Sequence, residues 1–558
     1  MRSSARQRRA CVILELPFYI QHPNSLNTEH TVDVGMKELA MLRYYSIITA
    51  LFAIWAGYFT LKMHKMDEAY QNWNEKEWHI DQYFSRPALL VRFINTKCFG
   101  DGSLLLYFIR VAFVSPALNR VLELMEEADK DEEGVRLPKI LCNERARMSL
   151  KERVDDFYAD VKSSTTLTVT SKTLLYIGSY TGLINHHGLL KMGMNAQVQN
   201  EVIKEPIFIV SPPRTATTIL HRTMSLDRTR FRSFDFSDMN VPLPNLVARW
   251  DEEGRKQKGE EGEQFLRSYE FVYPGIVKSI GSMHSLTPSE AEEDLTWLDH
   301  GLGHRYRTLF KLYPEYRSKK KGNNDGSWGN VESKEVVEYR YAWLSMIMKI
   351  YQRVDIDQWE ERSVQDDVPS SEHPTIGLPW IMKDPNHAPH LNELLAEFPD
   401  AKFIFIHRTP ADIIASLAKL YIVCISMDFL PGSRGSSAKE IGEEAVLRMN
   451  YYTKGMIEFT GDHNNKLSSP YSLHGKSTSR IDLSFEEVVR DIPGSIIEIY
   501  QQFYPEQDGP SDAAMEAIQD YLKGDKKEKQ VSQRRSLEDF HLTKNDVAFA
   551  DYTDLFLS

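Results

Sequence analysis

An α/β fold on a doubly wound parallel sheet, with a helical N-terminal extension and a transmembrane helix ahead of it, is what this 558-residue sequence predicts. Three observations carry the expectation. PIFIV at 206–210 is a short, β-branched run closed by Pro212 and Pro213, and TTILHRTMSLD follows with helical apolar spacing, giving a strand, a tight loop and a helix. At 390–421, HLNELLAEFPDA, KFIFIH and PADIIASLAKLY then read as helix, fully apolar strand and helix. Such alternation places a parallel sheet between helices. Near the N-terminus, YYSIITALFAIWAGYFTL at 44–61 is uncharged and, at roughly 1.5 Å per residue, long enough for about 27 Å of a thin bilayer.

Taken in order, residues 1–43 read as a tail and 44–61 as the membrane span. Arg2, Arg6, Arg8, Arg9, Lys37 and Arg43 precede that span, whereas Lys62 and Lys65 behind it are followed at once by Asp67 and Glu68. By the positive-inside rule the N-terminus is then cytosolic, the chain is single-pass, and the remainder lies in the lumen of the Golgi or ER. The chain has no Asn-x-Ser/Thr sequon, and the Arg- and Ser-rich start leaves a targeting peptide as an alternative, although Glu15 and Pro17 interrupt its apolar run. Residues 62–200, including SLLLYFIRVAFV and PALNRVLELMEEADKDEEG, read as helices that pack on the main domain, which spans 201–558. The polar insertions at 251–264, 317–330, 361–375 and 431–440 read as surface loops.

A formal net charge of −12 argues against nucleic acid as a partner, while leaving room for a local basic pocket. Cys11, Cys98, Cys142 and Cys424 are scattered, and no HExxH or paired CxxC occurs, so neither a disulfide framework nor a metal is expected.

The loop SPPRTATT at 211–218 sits where an open α/β sheet binds ligands, between a strand's carboxyl end and a helix N-terminus with unpaired N–H groups. Arg214 offers a charge to a phosphate or sulfate, and Thr215, Thr217 and Thr218 offer hydroxyls. The loop lacks the GxxxxGK[ST] pattern, which disfavours ATP chemistry. A plainer alternative is that Thr217 only caps the helix and Arg214 only pairs with an acid.

IFIVSPPRTATTILHRTMSLD resembles the 5′-phosphosulfate loop of sulfotransferases, in the branch whose loop reads Pro-Arg-Thr-Gly-Thr-Thr followed by Leu-His-Arg; here Ala216 replaces the glycine. WIMKDPNHAPHLNELLAEFPDAKFIFIHRTPADIIASLA resembles that family's next signature, a Trp-x-x-Lys-x-Pro-x-His stretch leading to a strand that ends in His-Arg-x-Pro. With RIDLSFEEVVRDIPGSIIEIYQQF and QRRSLEDFHLT, the likeness covers about residues 205 to 556.

The resemblance implies a P-loop-like sulfotransferase fold and 3′-phosphoadenosine-5′-phosphosulfate (PAPS) as sulfuryl donor. It implies that Arg408 and Ser416 hold the donor's 3′-phosphate, that Lys383 faces the leaving oxygen, and that Arg534 reaches the donor. For the base that takes the acceptor's proton it offers His284, Glu292 and Glu293, from MHSLTPSEAEEDLTWL, with His387 a further candidate. Tyr339, Tyr341 and Trp343 are candidates to line the acceptor pocket, or core residues at near-helical spacing. The acceptor is a hydroxyl or amine of a small molecule, carbohydrate or lipid, with steroid, phenol and protein tyrosine also open. A kinase-like phosphotransferase and a membrane-tethered relative that has lost activity are the competing readings, the second motivated by Ala216.

Overall fold

Every residue of the central strands is buried, because helices cover both faces of the sheet. A computed structural model describes residues 103–557, less 132–136, 166, 244, 273–276, 278–280, 282–285, 295–296, 298–333, 367–376, 429–436, 462–470, 473–474, 477–478, 507–508 and 529–535. The described residues fall in one compact unit, Tyr70–Ser558. The membrane span read at 44–61, His284 and Arg534 lie outside them.

Helix α1 (Ser103–Ile109) passes through a π turn into α2 (Ser115–Asp129), and α3 (Glu144–Ser163) and α4 (Val169–Gly193) follow. Next come β1 (Ile207–Ile209), α5 (Thr217–Met224), α6 (Glu252–Val272), α7 (Lys334–Asp366) and β2 (Ile381–Lys383). A 3₁₀ turn leads into α8 (Leu391–Glu397), then β3 (Lys402–His407), α9 (Pro410–Asp428) and α10 (Ala438–Gly461). After a small ribbon of β4 (Tyr471–Ser472) and β5 (Gly475–Lys476), β6 (Arg480–Ser484) leads to α11 (Phe485–Arg490), α12 (Ile492–Phe503), α13 (Asp512–Glu528) and α14 (Ala550–Phe556).

The main sheet runs β2-β1-β3-β6, with every neighbouring pair parallel. Strand residues alternate between two cores. Phe208, Met382, Phe403 and Phe405 join the core built on α7, α9 and α10, whereas Ile207, Ile209, Ile381, Ile404 and Ile406 join Leu220, Met224, Ile496 and Ile499 on the other face. From β1 the chain crosses to β2 on one side, and from β2 it crosses back over β1 to β3. The crevice at the carboxyl ends of β1 and β3 is therefore a topological switch point.

One expectation is corrected and one open choice is decided. The segment 251–264 is not a loop but the start of α6, most of whose charges face solvent while Arg255 and Lys258 turn inward: Arg255 pairs with Asp235 and Asp238, and the Asp238 carboxyl is held down at about 2, burial notwithstanding, by Arg249 and Arg255. Of the two readings open for Tyr339, Tyr341 and Trp343, pocket lining or core, the structure gives core: all three are buried in α7. Tyr339 hydrogen-bonds His186 of α4 at 3.1 Å, Tyr341 bonds His387 at 3.2 Å, and the Trp343 indole donates to the Trp297 carbonyl at 2.8 Å. Those bonds satisfy polar groups that burial would otherwise strand.

Among the described helices, Leu104–Asp129 is long and apolar enough to cross a membrane by length and composition, with 33% of its most apolar window buried. Its first turns expose Leu104, Tyr107 and Val111.

Candidate active site

At the end of β1, the Ser211 hydroxyl accepts from the Ile406 amide at 2.6 Å, which ties the loop's first residue to β3. Arg214 (φ +71°) and Ala216 (φ +66°) both take the left-handed conformation, turning the backbone so that α5 starts directly at Thr217. For a residue with a Cβ that conformation costs roughly 1 kcal/mol, which glycine at 216 would avoid. No side chain caps the first turn of α5, which leaves its N–H groups without a side-chain acceptor at the N-terminal end of the helix that follows β1. The plainer alternative for Thr217, a helix cap, does not hold: Thr217 is the first helical residue and the N-cap position is Ala216. Thr215 also departs from expectation, since its buried hydroxyl donates to the Pro212 carbonyl at 2.8 Å and braces the loop from within.

The two strand ends meet. Arg408, which follows β3, donates from Nη1 to the Arg214 carbonyl at 2.7 Å, and Arg214 Nε donates to Ser416 Oγ at 3.0 Å. Sequence reasoning missed Phe485 at the start of α11, whose ring lies 4.0 Å from the Arg408 guanidinium and fixes its plane. It also missed the C-terminal helix α14, whose Tyr552 hydrogen-bonds His407 at 3.1 Å and whose Phe556 stacks on the ring at 4.4 Å, while Asp482 of β6 bonds the other ring nitrogen at 2.8 Å. Burial and the like charge of Arg408 lower the pKa of Arg214, with Glu293 opposing. Two guanidinium groups held this close are mutually repulsive, and an anion between them removes that repulsion.

Lys383 closes the third strand end. Its side chain is 1% exposed, and Nζ donates to Thr218 Oγ1 at 3.1 Å and to Glu293 Oε1 at 2.5 Å, while Glu293 itself is 27% exposed. Glu293 thus combines contact with the buried cation and access to the crevice, as a base must. Glu292 is turned away, into an ion pair with Arg222 at 3.1 Å.

His387 does not have a base's position. Its ring is 0% exposed, Nε2 donates to Asp294 at 2.9 Å and Nδ1 meets the Tyr341 hydroxyl at 3.2 Å. Burial works against its charged form, but the Asp294 carboxylate outweighs it and holds the pKa above the usual imidazole range. Asp384, beside it, is pushed up to about 7 by burial and by Asp294. This cluster supports the turn after β2 from behind.

His221 was also unremarked in the sequence. It is buried and its pKa falls to about 4, from burial and the Lys383 charge, so at neutral pH Nε2–H donates to the Ile381 carbonyl, 3.2 Å away in β2. No group of three or more potential ligands for a metal occurs among the described residues.

An uncapped helix N-terminus, two guanidinium groups and an ammonium at adjacent carboxyl ends of a parallel sheet make a cationic crevice whose chemistry suits an anionic ligand. The chain belongs to the sulfotransferase family, whose model matches residues 206–504. Its fold resembles the sulfotransferase STF9 from Mycobacterium avium, with a TM-score of 0.52 and 18% identity, over 73% of this chain and 91% of that one. It is also similar to STF1 from Mycobacterium tuberculosis H37Rv, with a TM-score of 0.45 and 17% identity, over 76% of this chain and 97% of that one. No curated protein sequence matches the chain. Family and fold together support sulfuryl transfer.

Proposed function

We propose that the chain transfers the sulfuryl group of PAPS to a hydroxyl or amine of a small-molecule, carbohydrate or lipid acceptor. The single observation behind this reading is the meeting of Arg214, Arg408 and Ser416 across two neighbouring strand ends, with Lys383 and Thr218 beside them. The donor supplies an activated sulfuryl group on a phosphate leaving group. Arg214 and the first-turn N–H groups of α5 receive its 5′ end, and Arg408 with Ser416 receives its 3′-phosphate. Lys383 neutralises the charge that grows on the leaving phosphate oxygen, and Glu293 takes the acceptor's proton. Sulfuryl transfer, like phosphoryl transfer, needs little from the protein beyond in-line positioning and electrostatics.

Adenosine 3′,5′-bisphosphate is expected to raise the melting temperature in a saturable way, and ATP with Mg²⁺ is not. A shift with ATP alone would favour the kinase-like reading. A shift with the bisphosphate but no transfer from labelled PAPS to any of a broad acceptor panel would favour the inactive relative, the reading that Ala216 motivates.

The N-terminal segment 44–61 anchors this domain in a Golgi or ER membrane, with the catalytic part luminal. The charge asymmetry around the segment supports that orientation. In microsomes the chain should resist alkaline carbonate extraction and be protected from added protease; full digestion would reverse the topology, and release by carbonate would remove the anchor.

A further inference from the structure

We propose that Arg222 is a positioning residue, which selects Glu293 rather than its acidic neighbours as the partner of Lys383. The inference rests on the reading of Lys383 and Glu293 as the chemical pair.

Glu290, Glu292 and Glu293 lie within four consecutive residues, on a segment that passes beside one buried lysine. With nothing to sort them, any of the three carboxylates would serve as counter-ion to Lys383. Arg222 does the sorting. Nearly sealed from solvent, it pairs with Glu290 at 2.5 Å and with Glu292 at 3.1 Å, and its Nε donates to the Ala291 carbonyl at 3.1 Å. Two acids and the peptide between them are thus committed to one guanidinium. The Glu292 Oε1 then accepts from the Glu293 amide at 2.8 Å, so the clamp reaches the backbone of the next residue, whose side chain remains for Lys383.

The same helix positions the lysine. Thr218 and Arg222 are four residues apart in α5 and share one face. Thr218 bonds Lys383, Arg222 holds the carboxylate segment, and His221 between them is hydrogen-bonded to β2 two residues before Lys383. The helix that begins at the donor loop therefore sets both halves of the Lys383–Glu293 pair. Removing the Arg222 fork leaves Glu290 and Glu292 to compete for the lysine, and a lysine at 222 lacks the planar fork needed to hold both acids and the carbonyl.

The test is a double-mutant cycle on the full chain, with labelled PAPS as donor and an acceptor on which the wild type turns over. Arg222→Gln is expected to lower kcat about 100-fold with donor KM and bisphosphate affinity within about twofold, Arg222→Lys to recover part of it, and Arg222→Gln in a Glu293→Gln background to cost less than about threefold. Full multiplication of the two effects, or equal loss of kcat and bisphosphate affinity, overturns the assignment. Glu292→Gln, which weakens the clamp while leaving the Arg222–Glu290 pair, provides the same cycle should Arg222→Gln not fold. A wild type that binds no bisphosphate and transfers no sulfuryl group would instead defeat the sulfotransferase reading itself.

Discussion

Lys383→Ala should reduce sulfuryl transfer by about 100- to 1,000-fold while leaving the affinity for adenosine 3′,5′-bisphosphate within about threefold. The split follows from where the charge changes. On the proposed reading Arg214, Arg408 and the α5 amides already meet the donor's phosphates in the ground state, so the ammonium should add little to binding. As the bond to sulfur breaks, negative charge accumulates on the bridging oxygen, and a cation fixed in advance lowers the barrier without reorganising. Lys383 is fixed in that way, buried at a strand end with Thr218 and Glu293 as its two partners. Arginine should not substitute, because the buried site is shaped for a compact ammonium. Rapid-quench kinetics with labelled donor, together with calorimetry of bisphosphate binding, measures both halves. An alanine variant that keeps a tenth or more of wild-type turnover would take Lys383 out of the chemistry.

The sheet was legible because its strands are buried on both faces, which produces unbroken apolar runs such as FIFI at 403–406 that no amphipathic helix imitates. Arg214 and Arg408 were legible for a related reason, since Arg408 directly follows β3 and Arg214 stands on the short loop between β1 and the next helix, both at carboxyl ends of such strands. What escaped is tertiary. Helix α6 opens with charges and glycines that spell a loop, and Gly262 is needed where a Cβ would come within 2.8 Å of Pro288 and 2.9 Å of Ser237. Only the distant Asp235 and Asp238 make Arg255 an inward residue. His387 stands four residues after Lys383 in the sequence, but the 3₁₀ turn between them carries it behind the sheet to Asp294. Phe485 lies 77 positions from Arg408, a separation across which no local pattern acts. The shared helix face of Thr218 and Arg222, by contrast, was available as i, i+4 spacing within a segment already singled out.

The same geometry sets the largest expected effect on binding. Arg408→Ala should weaken bisphosphate affinity about 100-fold, near the upper end of the range for removing a charge-assisted hydrogen bond, about 1.5–3 kcal/mol or roughly 10- to 150-fold. Two losses combine. The guanidinium that Phe485 holds in plane disappears, and with it the brace from Nη1 to the Arg214 carbonyl, which supports a loop whose left-handed backbone is already costly. Arg408→Lys should recover little, because an ammonium cannot bond the carbonyl and present a second donor to the 3′-phosphate from one plane. Ser416→Ala removes one neutral hydroxyl and should cost only about fivefold. Calorimetric titration of the three variants tests the order. Since adenosine 5′-phosphosulfate lacks the 3′-phosphate, the Arg408 effect should shrink severalfold with it; an undiminished effect would move Arg408 away from that phosphate and make it a brace for the loop alone.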